Sequence, residues 1–253
     1  MTPVWFALAA APLVGSVLGV LIVRLPAGEG VVFGRSRCRA CAHPLAPADL
    51  VPLVSWLVRR GRCRYCGAPV SALYPGVELA AIVVVAWAAV AVPAGLVWPS
   101  ALLGWMLLAL ALIDLRALVL PDVLTLPLAA AGLAIVWWLN QAAPVDHAVG
   151  AALGWLTFRL IAAAYARLRR REGLGRGDAK LAAATGAWVG WQGLPTAVLL
   201  GSLAALVAIA VGVAAGRSVD AASRIPFGPF LALGLWLTWL YGPLGLAPSG
   251  VAP

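Results

Sequence analysis

The sequence predicts an all-α polytopic membrane protein with about eight transmembrane helices and one small extramembrane domain between helices one and two. Three observations predict it. Of the 253 residues, 63% are hydrophobic, where a soluble domain has roughly 45–50%. Mean hydropathy is +0.98 and only 11% of residues are charged. The basic residues also fall on one side of the alternating loops.

Apolar stretches of roughly 20 residues place the spans near 4–23, 76–95, 98–115, 122–140, 145–166, 179–193, 195–215 and 226–247. No basic residue precedes Val4–Val23, and charge follows it at Arg24, so it is expected to be a retained helix and not a cleaved leader. The sixth and seventh spans are expected to break at Gly193-Leu194-Pro195.

With the N-terminus outside, segments 24–75, 116–121, 167–178 and 216–225 share a face. They carry Arg24, Arg35, Arg37, Arg39, Arg59, Arg60, Arg62, Arg64, Arg116, Arg167, Arg169, Arg170, Arg171, Arg176, Arg217 and Arg224, and Lys180 lies at the same edge. The opposite segments 96–97, 141–144, 194 and 248–253 have no Lys or Arg. This asymmetry marks the basic face as cytoplasmic and puts both termini outside. Trp98, Trp137, Trp138, Trp188 and Trp191 gather toward the other face, as an interfacial belt does. Arg159, about two turns inside its span, is expected to snorkel or pair. The net charge of +9 is explained by retained loops, and no nucleic-acid motif accompanies it.

The segment 24–75 holds every cysteine: Cys38-x2-Cys41, 21 residues, then Cys63-x2-Cys66. Two such knuckles suit a four-thiolate structural zinc site. Two disulfides are the alternative, disfavoured where thiols stay reduced. A loop of this length has little core, so a metal staple stabilises it. The nearby arginines favour thiolates and face anionic lipid headgroups. His43 is expected to be a surface residue, since four cysteines complete a tetrahedron.

Few carboxylates remain. Glu78 opens the second span, where a helix-start carboxylate suits the dipole. Pro121 and Asp122 suit the first turn of the fourth. Asp114 has no such local explanation, and a carboxylate at a span's edge is a functional hypothesis. Asp178 lies at matching depth in Gly175-Arg176-Gly177-Asp178-Ala179-Lys180, where it also suits a helix cap. Two carboxylates at one depth on separate helices share a proton and can run acid–base hydrolysis. Spacing alone weighs this dyad evenly with a proton- or ion-coupled transporter. A non-catalytic scaffold bearing a zinc module is the third reading.

The order of motifs resembles the type IV prepilin peptidases, or leader peptidase/N-methyltransferases. It runs through Gly15-Ser16, Arg24-Leu25-Pro26, Pro52-x2-Ser55-Trp56-Leu57, Arg60-Gly61-Arg62-Cys63, Tyr74-Pro75-x-x-Glu78, Leu112-Ile113-Asp114, Leu120-Pro121-Asp122 and Gly175-x-Gly177-Asp178-x-Lys180. The resemblance implies an inner-membrane aspartyl protease that removes the basic leader of prepilins or pseudopilins at the cytoplasmic face. It implies Asp114 and Asp178 as the catalytic pair, with Gly175, Gly177, Lys180 and Asp122 in support. It implies zinc on the four cysteines. It also implies methylation of the new N-terminus from S-adenosylmethionine, with Gly15, Arg24, Pro26 and Glu78 near that step. The chain then divides into helix 1–23, zinc domain 24–75 and peptidase domain 76–253. Three positions depart from the family pattern: Val17 stands where the family has Phe, and Gly19 and Leu50 where it has Asn, a donor and acceptor that neither residue replaces.

Overall fold

The structure, a computed structural model, describes residues 4–31, 36–139, 144–169, 175–216 and 225–244. Arg35, Arg170, Arg171, Glu172, Arg217 and Arg224 lie outside the described residues. The chain forms two compact units, Met1–Ala109 and Leu110–Pro253. Among the described residues there are helices and isolated β-bridges but no strand. Among the described residues, five helices are long and apolar enough to cross a membrane: Val4–Arg24, Leu73–Ala91, Ala94–Ala117, Pro144–Arg169 and Arg176–Ala214. Asp122–Trp138 and Gly228–Tyr241 are shorter apolar helices.

In the first unit, α1 (Val4–Arg24) packs on α3 (Leu73–Ala91). The buried face of α1 is Ala7, Ala11, Gly15, Leu18, Gly19 and Ile22, a helical stripe rich in small residues that lets backbones approach. A Cβ built on Gly15 would lie 2.5 Å from the Glu78 Cα. Between these helices lie a 3-10 turn, Pro47–Asp49, the short helix α2 (Val54–Val58) and two cysteine knuckles. Trp105, on α4 (Val97–Ala117), donates from Nε1 to the Ala81 carbonyl at 3.0 Å. α3 begins at Leu73, three residues before the expected start, so Glu78 lies beyond the first turn and a simple dipole role does not apply.

The second unit is built around α7 (Arg176–Ala214), against which α5 (Asp122–Trp138), α6 (Pro144–Arg169) and α8 (Gly228–Tyr241) pack. α6 buries only Gly150, Gly154 and Phe158, residues four apart on one face. α7 is interrupted at Gly190, whose φ of 69° belongs to the left-handed region. The break therefore falls before the expected Gly193-Leu194-Pro195. Pro195 is accommodated inside the helix that follows. His147 Nδ1 lies 3.1 Å from the Ala187 carbonyl, next to this break. α8 ends at Tyr241, short of the expected 247, because Gly242 turns to φ 82° and Pro243 follows.

Trp188 corrects another expectation. It is fully buried and donates Nε1–H to the Leu128 carbonyl at 2.8 Å, so it belongs to the core and not to an interfacial belt. Trp137, Trp138 and Trp191 are exposed. Arg159 lies over the Trp155 ring at 5.8 Å, a cation–π contact on its own helix.

Candidate active site and metal centre

Asp114 is carried near the end of α4, and Asp178 sits in the first turn of α7. Both are buried, and they are close enough for the charge of Asp114 to act on Asp178. The two carboxyls are held in the same way. Asp114 Oδ2 accepts the Gly228 N–H at 3.0 Å. Asp178 Oδ2 accepts the Gly175 N–H at 3.2 Å. Gly228 opens α8 and Gly175 precedes α7, so each acid takes a donor that a helix start leaves free. The capping role considered for Asp178 is thus real and coexists with its place beside Asp114.

Gly228 went unnoticed in the sequence because it works through its backbone. A Cβ there would lie 2.6 Å from Asp114 Oδ2. Its signal is Pro226-Phe227-Gly228-Pro229, a glycine framed by prolines at the start of an apolar helix.

Lys180 forms an ion pair with Asp122, both half-exposed. Pro121 is the residue before α5, and Asp122 is its first residue. A Cβ at Gly177 would lie 2.8 Å from the Leu120 Cβ, so that space holds this chain's own leucine. Leu118, in the same connection, has φ 54°, a conformation that costs a non-glycine residue about 1–2 kcal/mol. The connection from Asp114 to α5 is thus strained at one end and fixed to α7 at Leu120 and Asp122.

The cysteines form a second centre, in the first unit. All four Sγ atoms lie within 4.8 Å of one another. Cys38 and Cys66 are 3.9 Å apart at sulfur, far beyond a disulfide bond. Tetrahedral ligands at about 2.3 Å from zinc stand about 3.8 Å from each other, so the donor set and spacing fit zinc. The knuckles repeat one backbone pattern. Cys38 N–H donates to the His43 carbonyl and Ala42 N–H to the Cys38 carbonyl; Cys63 N–H donates to the Ala68 carbonyl and Gly67 N–H to the Cys63 carbonyl. Bridges Arg37–Pro44 and Arg62–Pro69 close the two turns. His43 stacks on Tyr65 at 3.7 Å and stands outside the ligand set.

The backbone N–H groups of Cys41 and then Ala40 hold the Cys38 thiol down at about 6. Cys66 is pushed up to about 11: the Ala68 N–H lowers it, and the hydrogen bonds with Cys41, Cys63 and Cys38, together with desolvation, outweigh that. The Cys38 thiolate forms readily, and a metal binding at Cys66 displaces that thiol's proton.

Of the residues associated with methyl transfer, Gly15 and Glu78 meet where α1 packs on α3. Glu78 Oε2 accepts the Leu53 N–H at 2.7 Å. Arg24 donates to the Gly30 carbonyl at 3.2 Å, and Pro26 lies in the exposed turn after α1. Gly15, Arg24 and Glu78 thus make contacts within the fold, and Pro26 is exposed. At Gly19 a Cβ would lie 3.0 Å from Tyr74 Cδ1, so an aromatic ring crowds the place where the family carries Asn.

Residues 10–92 match the bacterial peptidase A24 N-terminal domain, and residues 101–210 match the type IV leader peptidase family. A prepilin leader peptidase/N-methyltransferase of Aeromonas hydrophila is 40% identical over 255 residues, covering 91% of this chain and 88% of that protein. The protein of that name from Aeromonas salmonicida (strain A449) is 42% identical over 210 residues, covering 82% and 72%. Its counterpart in Pseudomonas aeruginosa is 36% identical over 260 residues, covering 91% and 87%. No solved structure matches. On these similarities, which extend over most of both chains, the chain belongs to the type IV leader peptidase family.

Proposed function

We propose that the protein is a membrane-embedded aspartyl endopeptidase that removes the leader from prepilins or pseudopilins, with Asp114 and Asp178 as its catalytic pair. The observation that carries this is the pairing itself: two buried carboxyls from separate helices, each with one oxygen held by a glycine N–H at a helix start. The names of the relatives support the substrate class.

In this reading the pair shares one proton. The ionised carboxylate takes a proton from water, and the resulting oxygen attacks the scissile carbonyl carbon. The protonated partner gives its proton to the carbonyl oxygen. When the tetrahedral intermediate collapses, the amide nitrogen takes a proton from the pair and the C–N bond breaks. Water is thus divided between the new carboxyl and the new amine. The two apparent ionisations belong to the pair, so rate is expected to peak at intermediate pH.

Cys38, Cys41, Cys63 and Cys66 would hold zinc, which would staple the domain and supply no step of the hydrolysis. We also propose the topology drawn from the charges: about eight spans with α7 contributing two across its break, both termini outside, and the cysteine domain cytoplasmic. The division into helix 1–23, zinc domain 24–75 and peptidase domain 76–253 is part of the same reading. Asp49, Asp122 and Glu172 are the acidic residues that could hold a basic leader; Glu172 lies outside the described residues, and the other two already have partners. Asp49 pairs with Arg59 at 3.3 Å, and Asp122 pairs with Lys180. A leader must displace those partners or bind elsewhere. The test is cleavage of a synthetic or purified prepilin by wild type and by Asp114→Asn and Asp178→Asn, read by intact mass.

A further inference from the structure

The motif Pro52-x2-Ser55-Trp56-Leu57 has no part in the chemistry above, and it builds α2. We infer that α2 is a membrane-seated helix that docks the cysteine domain onto a bilayer containing anionic lipid. Val54, Leu57 and Val58 share one face of α2, and Leu50 and Val51 lie in the turn before it; all five are exposed, Leu57 by 64% and Val58 by 75%. The opposite side is spent inward. Trp56 donates Nε1–H to the Val70 carbonyl at 3.1 Å and packs where a Cβ on Gly61 would lie 2.8 Å from its ring.

The depth of α2 follows from its anchor. Leu53, the residue before α2, sits at φ 59° and donates its N–H to Glu78. Glu78 is about 7.5 Å along α3 from Leu73, at 1.5 Å per residue. The 19 residues of α3 are about as long as the hydrocarbon core is thick, so α2 starts about 7.5 Å inside the acyl edge, within the roughly 5–10 Å depth at which interfacial helices lie. An apolar stripe held there faces lipid. Arg60, Arg62 and Arg64 follow it directly and are exposed, which suits phosphate headgroups. A helix with one apolar face beside clustered arginines is built to lie in an interface.

The inference rests on the proposal that α3 crosses the membrane and is independent of peptidase activity. The test places the photo-reactive residue p-benzoylphenylalanine at Leu57, Val58, Ala40 or Val83 in the full chain, in nanodiscs of phosphatidylcholine and phosphatidylglycerol. Mass spectrometry then reads the adducts. Val83, exposed on α3, reports the span, and Ala40, exposed on the first knuckle, reports the aqueous side. Lipid adducts at Leu57, Val58 and Val83 but not at Ala40 are expected. Adducts at Val83 without any at Leu57 or Val58 overturn the docking and leave the span intact. None at Val83 overturns the span and the docking with it, and adducts to a second copy of the chain at Leu57 or Val58 overturn the lipid assignment. The double variant Leu57→Asp, Val58→Asp is expected to keep its zinc yet exchange the amides of residues 50–58 faster in nanodiscs; unchanged exchange contradicts the docking.

Discussion

The two aspartates are oriented less by side chains than by backbone. Gly228 N–H and Gly175 N–H each fix one carboxyl oxygen, so small changes at these donors should move the acids. Gly228→Ala puts a methyl group 2.6 Å from Asp114 Oδ2. Displacing a reacting group by a fraction of an ångström to one ångström costs up to about 100-fold in rate. We predict a loss of that order in kcat, with helix content by circular dichroism unchanged; wild-type kcat would contradict the assignment of Gly228. Lys180→Ala removes a half-exposed ion pair, worth no more than about 1 kcal/mol. Cleavage should survive it, and loss of all activity would show that Lys180 touches substrate. Zinc affinity should rise with pH, because each protonated thiol gives up its proton on binding. The dependence should steepen below about 6, where Cys38 also carries a proton, and competition titration against a chelator reads this directly.

At the scale of elements, hydrophobic length located most helices to within a few residues. The errors have physical causes. Gly193-Leu194-Pro195 looks like the stronger breaker, yet the left-handed turn is taken at Gly190. Proline stops a helix only where its ring meets an existing turn; near the start of the segment after Gly190 it is tolerated. Trp188 looked interfacial because its type and position suit a belt, but composition does not reveal depth. Leu128 supplies the acceptor that lets an indole be buried whole. Positive φ at Leu53, Arg60 and Leu118 leaves no trace in residue type. Gly190→Ala should lower stability by about 1–3 kcal/mol, because φ 69° with ψ 177° is a conformation essentially reserved for glycine. A thermal melt in detergent checks this, and an unchanged melting temperature would argue that the break relaxes into a continuous helix.

For the whole molecule, the charged and cysteine residues carried most of the legible function. Asp114, Asp178 and the four cysteines stood out because carboxylates and thiols are scarce in so apolar a chain. The structure brings each set together: the acids in one unit, the sulfurs in the other. Less was legible in Glu78, whose carboxyl accepts the Leu53 N–H while its backbone packs on Gly15, and so joins three segments that are distant in sequence. The family's relatives are named for two activities, and this chain's departures concern the second. Tyr74 crowds Gly19, and Leu50 is exposed, so neither supplies the missing amide. The proposed topology places the cysteine domain in the cytoplasm, where chelating zinc should expose residues 36–70 to protease. Cleavage elsewhere in the chain first would contradict a metal-stapled domain.

The central claim is tested most directly by incubating detergent-purified protein with a full-length prepilin and weighing the product. Wild type, Asp114→Asn and Asp178→Asn would run in parallel, with and without S-adenosylmethionine. The account predicts loss of the leader mass by wild type alone, since an amide is close to the acid in shape but cannot cycle a proton. Cleavage by both Asn variants at the wild-type rate would contradict it.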